Sequence, residues 1–159
     1  MLLYHGSNVK VSEPKIIESR RSLDFGSGLY LTSDYEQAKK WAELKHRRLE
    51  EGSPIISVFE CDEKELNRLS VLSFKNADRE WLEFISQNRN NVYDSKEFDL
   101  IIGPVANDQT ITTIGLYMRG YINADMAIQL LMPQNLKDQY CFKTEKALNI
   151  LRFQEAKEI

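Results

Sequence analysis

At 159 residues the chain has the length of one domain with room for a sizeable core. Hydrophobic residues make up 42% and charged residues 28%, an ordinary globular balance, and the formal charge of −3 argues against a general polyanion-binding surface while leaving room for a local basic patch. No apolar run approaches the ~18 residues a bilayer span needs, and Met1 to Lys10 lacks the charged and apolar regions of a signal peptide, so cytoplasmic residence without a membrane partner is expected.

Taken in chain order, Leu2 to His5 reads as a short strand ending at Gly6-Ser7. Pro14 to Glu18 reads as a second extended piece, followed by polar Ser19-Arg20-Arg21-Ser22. Leu29 to Thr32 is a strand that begins directly after Gly26 and Gly28. Ser33 or Asp34 caps a helix through about Glu50, in which Ala38, Trp41, Ala42, Leu44, Lys45 and Leu49 give a mixed apolar stripe, and Gly52-Ser53-Pro54 stops it. Ile55 to Cys61 alternates as a strand does, Leu69 to Phe74 is extended, and Asn76 to Asn90 is helical with Trp81, Phe84 and Ile85 on one side.

Phe98 to Val105 reads as a buried strand whose end is marked by Gly103-Pro104. Helices over Thr110 to Arg119 and Ala124 to Leu131 follow, the second capped by Asn123. A loop from Pro133 to Lys137 leads to a compact strand, Gln139 to Phe142, then a helix from Thr144-Glu145 to about Ile150 and a polar tail. Nothing divides the chain, so one domain over residues 1–159 is expected, α+β with antiparallel pairing. Cys61 and Cys141 stand eighty positions apart with no C-x-x-C or His-rich tract, so they read as reduced core thiols and no metal is expected.

Two phrases carry candidate chemistry: Leu3-Tyr4-His5-Gly6-Ser7, and Phe25-Gly26-Ser27-Gly28-Leu29-Tyr30. Each joins a β-type run to glycine and delivers a polar or aromatic side chain at the junction. The second is not a dinucleotide fingerprint, which needs a third glycine opening a helix. Nor is it a P-loop, because no Gly-Lys-Ser/Thr follows.

Together the phrases resemble the ADP-ribosyltransferases of the diphtheria-toxin and poly(ADP-ribose) polymerase type. The resemblance implies an ADP-ribosyltransferase-like fold, two small β-sheets with flanking helices and a central cleft that holds NAD as substrate. Cleaving NAD means holding the ribose, clamping the nicotinamide amide and stacking its ring while the bond breaks through a sugar cation. By resemblance His5 bonds a ribose hydroxyl and the Gly6 backbone pairs with the carboxamide, with Ser7 and Gly28 completing the cofactor-binding set. Tyr30 stacks on nicotinamide, and Trp41, eleven residues on, stands where the family has a second aromatic wall, usually a tyrosine.

Two departures bear on the chemistry. The family's late glutamate falls on Gln139, which can bond the ribose but brings no charge and no base. Ala38 replaces a serine that some members use on the carboxamide. Asn107 and Asp108 either project into the cleft or serve as turn residues, and Arg20 and Arg21 either reach a pyrophosphate or lie solvated at the surface. The whole chain also looks like a family of small bacterial proteins with L-Y-H-G-S near the start, G-P-V-A-N-D midway and Q-x-C-F-x-T-E-K-A-L near the end. The expected function is mono-ADP-ribosyl transfer to a macromolecular acceptor, in a bacterial toxin or phage-defence effector with a neutralising antitoxin. Hydrolysis of NAD, a non-enzymatic nucleotide-binding interaction module and an RNA 2′-phosphotransferase-like activity are the rival expectations.

Overall fold

The computed structural model describes residues 1–18, 23–90, 95–107 and 110–159. Among these residues seven strands form two sheets: β1 (Leu2–Ser7), β3 (Ile55–Cys61) and β7 (Leu151–Glu158) in the order β1-β3-β7, and β2 (Leu29–Leu31), β4 (Val71–Ser73), β5 (Leu100–Pro104) and β6 (Asp138–Phe142) in the order β2-β6-β5-β4. The expected α+β class holds, with two small sheets and flanking helices. Pairing is antiparallel except between β4 and β5, which run parallel. Helix α2 (Arg79–Arg89) lies between β4 and β5 in the chain and provides the crossover that a parallel pair requires.

Three packed clusters order these pieces into layers. Leu3 and Phe59 of the first sheet pack with Leu29, Leu31, Leu100 and Phe142 of the second. The second sheet's other face meets α2, α3 (Ile111–Met118) and α4 (Ala124–Leu131) through Trp81, Ile85, Ile114, Ala127 and Leu131. The first sheet's outer face carries α1 (Tyr35–Leu49), with Ala38 against Ile56 and Val58. A four-residue helix, α5 (Glu145–Leu148), is capped by Thr144 and packs Ala147 and Leu148 beneath the sheets.

Local chemistry sets the helix starts. The Asp34 side chain accepts from Gln37 N at 2.7 Å, Asp78 caps α2 through Trp81 N, and Asn123 caps α4 through Met126 N. Some expectations are corrected. Pro14 to Glu18 forms no strand, the helix expected from Asn76 starts at Arg79, and the strand expected over Leu69 to Phe74 contracts to Val71–Ser73. The polar tail is instead β7, an edge strand paired with β3 from Ile55↔Glu158 to Cys61↔Leu151. Among the described residues no helix is long and apolar enough to cross a membrane.

Candidate functional site

Among the described residues the two sheets meet edge to edge through one bridge. Tyr4 N donates to Thr32 O at 2.8 Å, and Thr32 N donates to Tyr4 O at 3.0 Å. In an antiparallel ladder, residues alternate between facing the partner strand and facing away with their N–H and C=O groups. Met1 and Cys61 exchange hydrogen bonds at the start of the β1–β3 ladder, and Tyr4 turns its groups outward to Thr32. By the same alternation Gly6, opposite Ile56, turns its N–H and C=O to the outer edge of β1, beyond the bridge. The sheets part there, and the opening holds a cleft of about 470 Å³.

His5, Gly6, Val105 and Gln139 are the buried residues lining this cleft, and so make its floor. One wall is α1, with Trp41, Lys45 and Arg48; Arg89 of α2 and Ile111 of α3 also line the cleft. A larger depression of about 670 Å³, lined by residues such as Lys75, Pro104 and Met132, contains none of the phrase residues.

The protonation of His5 follows from its partner. Its Nδ1 lies 2.8 Å from Tyr30 O, and a carbonyl only accepts, so Nδ1 carries the proton. Burial holds the imidazole pKa down to about 4, from an ordinary 6.5, against the opposing effect of the Tyr30 carbonyl; the Lys45 charge lowers it further. The ring is therefore neutral at pH 7, and Nε2 is a lone-pair acceptor. That atom is buried and has no hydrogen-bond partner among the described residues. A buried acceptor left unmatched costs about 1–3 kcal/mol, which a ligand hydroxyl or N–H recovers.

Gly6 is glycine for a packing reason as well. A Cβ there would come within 1.9 Å of Ala38 O and 2.8 Å of Ala42 N, so β1 and α1 approach too closely for any side chain. Ala38, which does not line the cleft, is fully buried and packs with Ile56 and Val58. Ser7 sits behind the floor, its Oγ accepting from Lys45 Nζ at 3.2 Å. Gly28 does not line the cleft. A Cβ at Gly28 would meet Cys141 Sγ at 2.6 Å, so this glycine lets the loop lie flat against β6.

The second phrase is pinned from several sides. Phe25 is fully buried, Gly26 takes a φ of 77°, and the Tyr30 hydroxyl donates to Gly26 O (2.6 Å) while accepting from Phe25 N (3.0 Å). Lys143 Nζ donates to both Phe25 O and Ser27 O at 2.8 Å. The Tyr30 phenol is thus committed to the loop, and burial above all, with Cys141 and the Asp24 carboxylate nearby, pushes its pKa well above the usual value. Its ring stacks on Phe25 at 6.5 Å and lines the cleft. Trp41, half-buried, joins it there.

Gln139 Nε2 donates to Asp24 Oδ2 and to Pro104 O, both at 3.2 Å. Both partners only accept, which fixes the amide orientation and leaves Oε1 as the acceptor. Asp24 is in turn held by Arg89, with N–O distances of 2.6 and 2.8 Å and both side chains largely buried. Sequence reasoning missed Asp24, Arg48 and Arg89, and gave Lys45 only a place in the helix stripe. Asp24 directly precedes the glycine phrase, and Lys45 and Arg48 follow Trp41 at helical spacing, a signal that was readable. Arg89 had none. Asn107 closes a turn, its Oδ1 accepting from Thr110 N and its N donating to Thr110 Oγ1. Arg20, Arg21 and Asp108 lie outside the described residues.

Residues 1–153 match a family model described as "Protein of unknown function (DUF3990)". No curated protein and no solved structure matches the chain.

Proposed function

The chain thus belongs to the DUF3990 family, whose description names no activity, and we propose that it binds NAD in this cleft and acts as a mono-ADP-ribosyltransferase on a macromolecular acceptor. One observation carries the reading. The neutral His5 presents a buried, unpartnered Nε2 acceptor in a cleft it shares with Tyr30 and Trp41. Gln139, whose amide orientation leaves Oε1 as an acceptor, belongs to the same floor. Two acceptors call for a ligand with hydroxyl donors, and a ribose diol has two. The two-sheet arrangement with a cleft at the parted edges supports an ADP-ribosyltransferase-like fold.

On this reading His5 and Gln139 accept from ribose hydroxyls, the outward N–H and C=O of Gly6 pair with the carboxamide, and Tyr30 and Trp41 flank the nicotinamide ring. When bound, NAD supplies a glycosidic bond whose cleavage frees nicotinamide. The protein contributes orientation and a partly dry wall, with the Tyr30 hydroxyl and His5 Nδ1–H spent on holding the loop and strand in place. A cytoplasmic toxin or phage-defence role, with an antitoxin partner, belongs to the same proposal. Gln139, uncharged and tied through its amide, favours one second reading, an NAD-binding module without turnover.

Incubation with labelled NAD and cell lysate separates the readings. Transfer predicts free nicotinamide together with label on protein or nucleic acid. Nicotinamide without labelled product indicates hydrolysis, and NAD binding without either signal indicates the module. Tyr30→Ala is expected to abolish activity; full activity in that variant would sink the site assignment.

A further inference from the structure

The cleft is cationic although the chain as a whole carries −3. Its lining holds three cations, Lys45, Arg48 and Arg89, against a single carboxylate, Asp24, a net of two positive charges. Arg89 and Asp24 compensate each other at 2.6 Å. Lys45 and Arg48 are left over, with no ion-pair partner among the described residues. Lys45 is half-buried and donates to the neutral Ser7 Oγ at 3.2 Å. Burial and the nearby Arg48 charge hold its pKa below the ordinary lysine range. Arg48 is exposed beside the half-buried Lys45, and two like charges side by side are unfavourable until an anion joins them.

Their placement relative to the aromatic wall is set by the helix. Trp41, Lys45 and Arg48 stand at i, i+4 and i+7 on α1, all three lining the cleft. At 1.5 Å rise per residue, the cations lie ~6 and ~10 Å along the axis from Trp41. A ligand with a flat ring beside Trp41 and a ribose in the middle would bring its phosphates to this end. His5 lines the same cleft, and its buried Nε2, without a hydrogen-bond partner among the described residues, points independently to a ligand.

We infer that Lys45 and Arg48 form the anion-binding end of the cleft and take the diphosphate of the ligand, so that the site selects phosphorylated nucleotides over the corresponding nucleosides. The inference rests on the NAD reading for the identity of the nucleotide; the anion site itself stands on the charges and their spacing. It gives to α1 the role that the sequence had offered to Arg20 and Arg21.

The test is a set of NMR titrations of the wild type, Lys45→Met, Arg48→Met and Lys45→Arg with inorganic pyrophosphate, NAD and nicotinamide riboside. Pyrophosphate is expected to shift amides around residues 45–48. Each methionine variant is expected to weaken pyrophosphate and NAD binding about tenfold, as the loss of a charge-assisted contact implies. Riboside binding should not change, and Lys45→Arg should retain wild-type affinity. The inference is overturned if pyrophosphate does not bind the wild type, or if methionine variants of unchanged melting temperature bind it as tightly. It is equally overturned if the riboside is weakened as much as NAD. Pyrophosphate binding without NAD binding would uphold the anion site and overturn the NAD reading instead.

Discussion

Replacing His5 by asparagine tests the proton assignment on which the site depends. Asparagine keeps an N–H near the position of Nδ1 for Tyr30 O but has no group that titrates in this range. In the folded chain His5 has its pKa held down to about 4, against 6.5 when unfolded. Between those values the unfolded chain binds the extra proton, so stability falls as pH drops from about 6.5 toward 4. At 1.36 kcal/mol per pH unit the full loss is about 3 kcal/mol, of which about 2 kcal/mol is gone by pH 5. Asp34 and Asp99, whose carboxyl pKa values are held below the ordinary 3.8, lose their contribution only at lower pH and leave this window clear. Urea unfolding at pH 7, 6 and 5 should show the wild type losing about 2 kcal/mol more than His5→Asn over that range. Equal slopes for the two proteins would refute a buried neutral imidazole. The same protonation state predicts that ligand affinity does not titrate near pH 6.5, because Nε2 is already an acceptor there.

Gly6→Ala should lower stability by about 3 kcal/mol, roughly 10 °C in Tm, because the new Cβ lands 1.9 Å from Ala38 O and β1 must leave α1; thermal melting measures it. Tyr30→Phe removes the donor to Gly26 O and strands Phe25 N, at a cost of about 1–3 kcal/mol, while the ring remains. Calorimetric titration should find NAD affinity in that variant reduced far less than in Tyr30→Ala. Arg89→Met leaves Asp24 without its counter-charge and should destabilise by about 2 kcal/mol, and adding Asp24→Asn should restore most of that in denaturant unfolding.

Much of the fold could be read from local pattern. The α1 cap at Asp34, the strand over Ile55–Cys61 and the helix over Ala124–Leu131 each follow from a capping side chain or an apolar period within the segment itself. β7 escaped because Leu151–Glu158 is an exposed edge strand, buried on its inner face by few residues and charged along the rest. Such a sequence resembles a solvated tail until β3 pairs with it, some ninety residues away in the chain. The parallel β4–β5 pair was hidden for a similar reason, since direction depends on the crossover rather than on either strand.

For the site, the sequence by itself determined which residues carry distinctive chemistry: a histidine-glycine at a strand end, a tyrosine after paired glycines, an aromatic on the next helix. Those are local facts of side-chain type and spacing. Tertiary structure alone decided that His5 is neutral with a free Nε2, because burial and the Tyr30 carbonyl come from outside its own segment. It also decided that Gly6 faces outward, through the single Tyr4–Thr32 bridge, and that Gln139 is an oriented acceptor, through Asp24 and Arg89. Desolvation, hydrogen-bond direction and charge compensation depend on neighbours distant in the chain, and only folding brings those neighbours within reach.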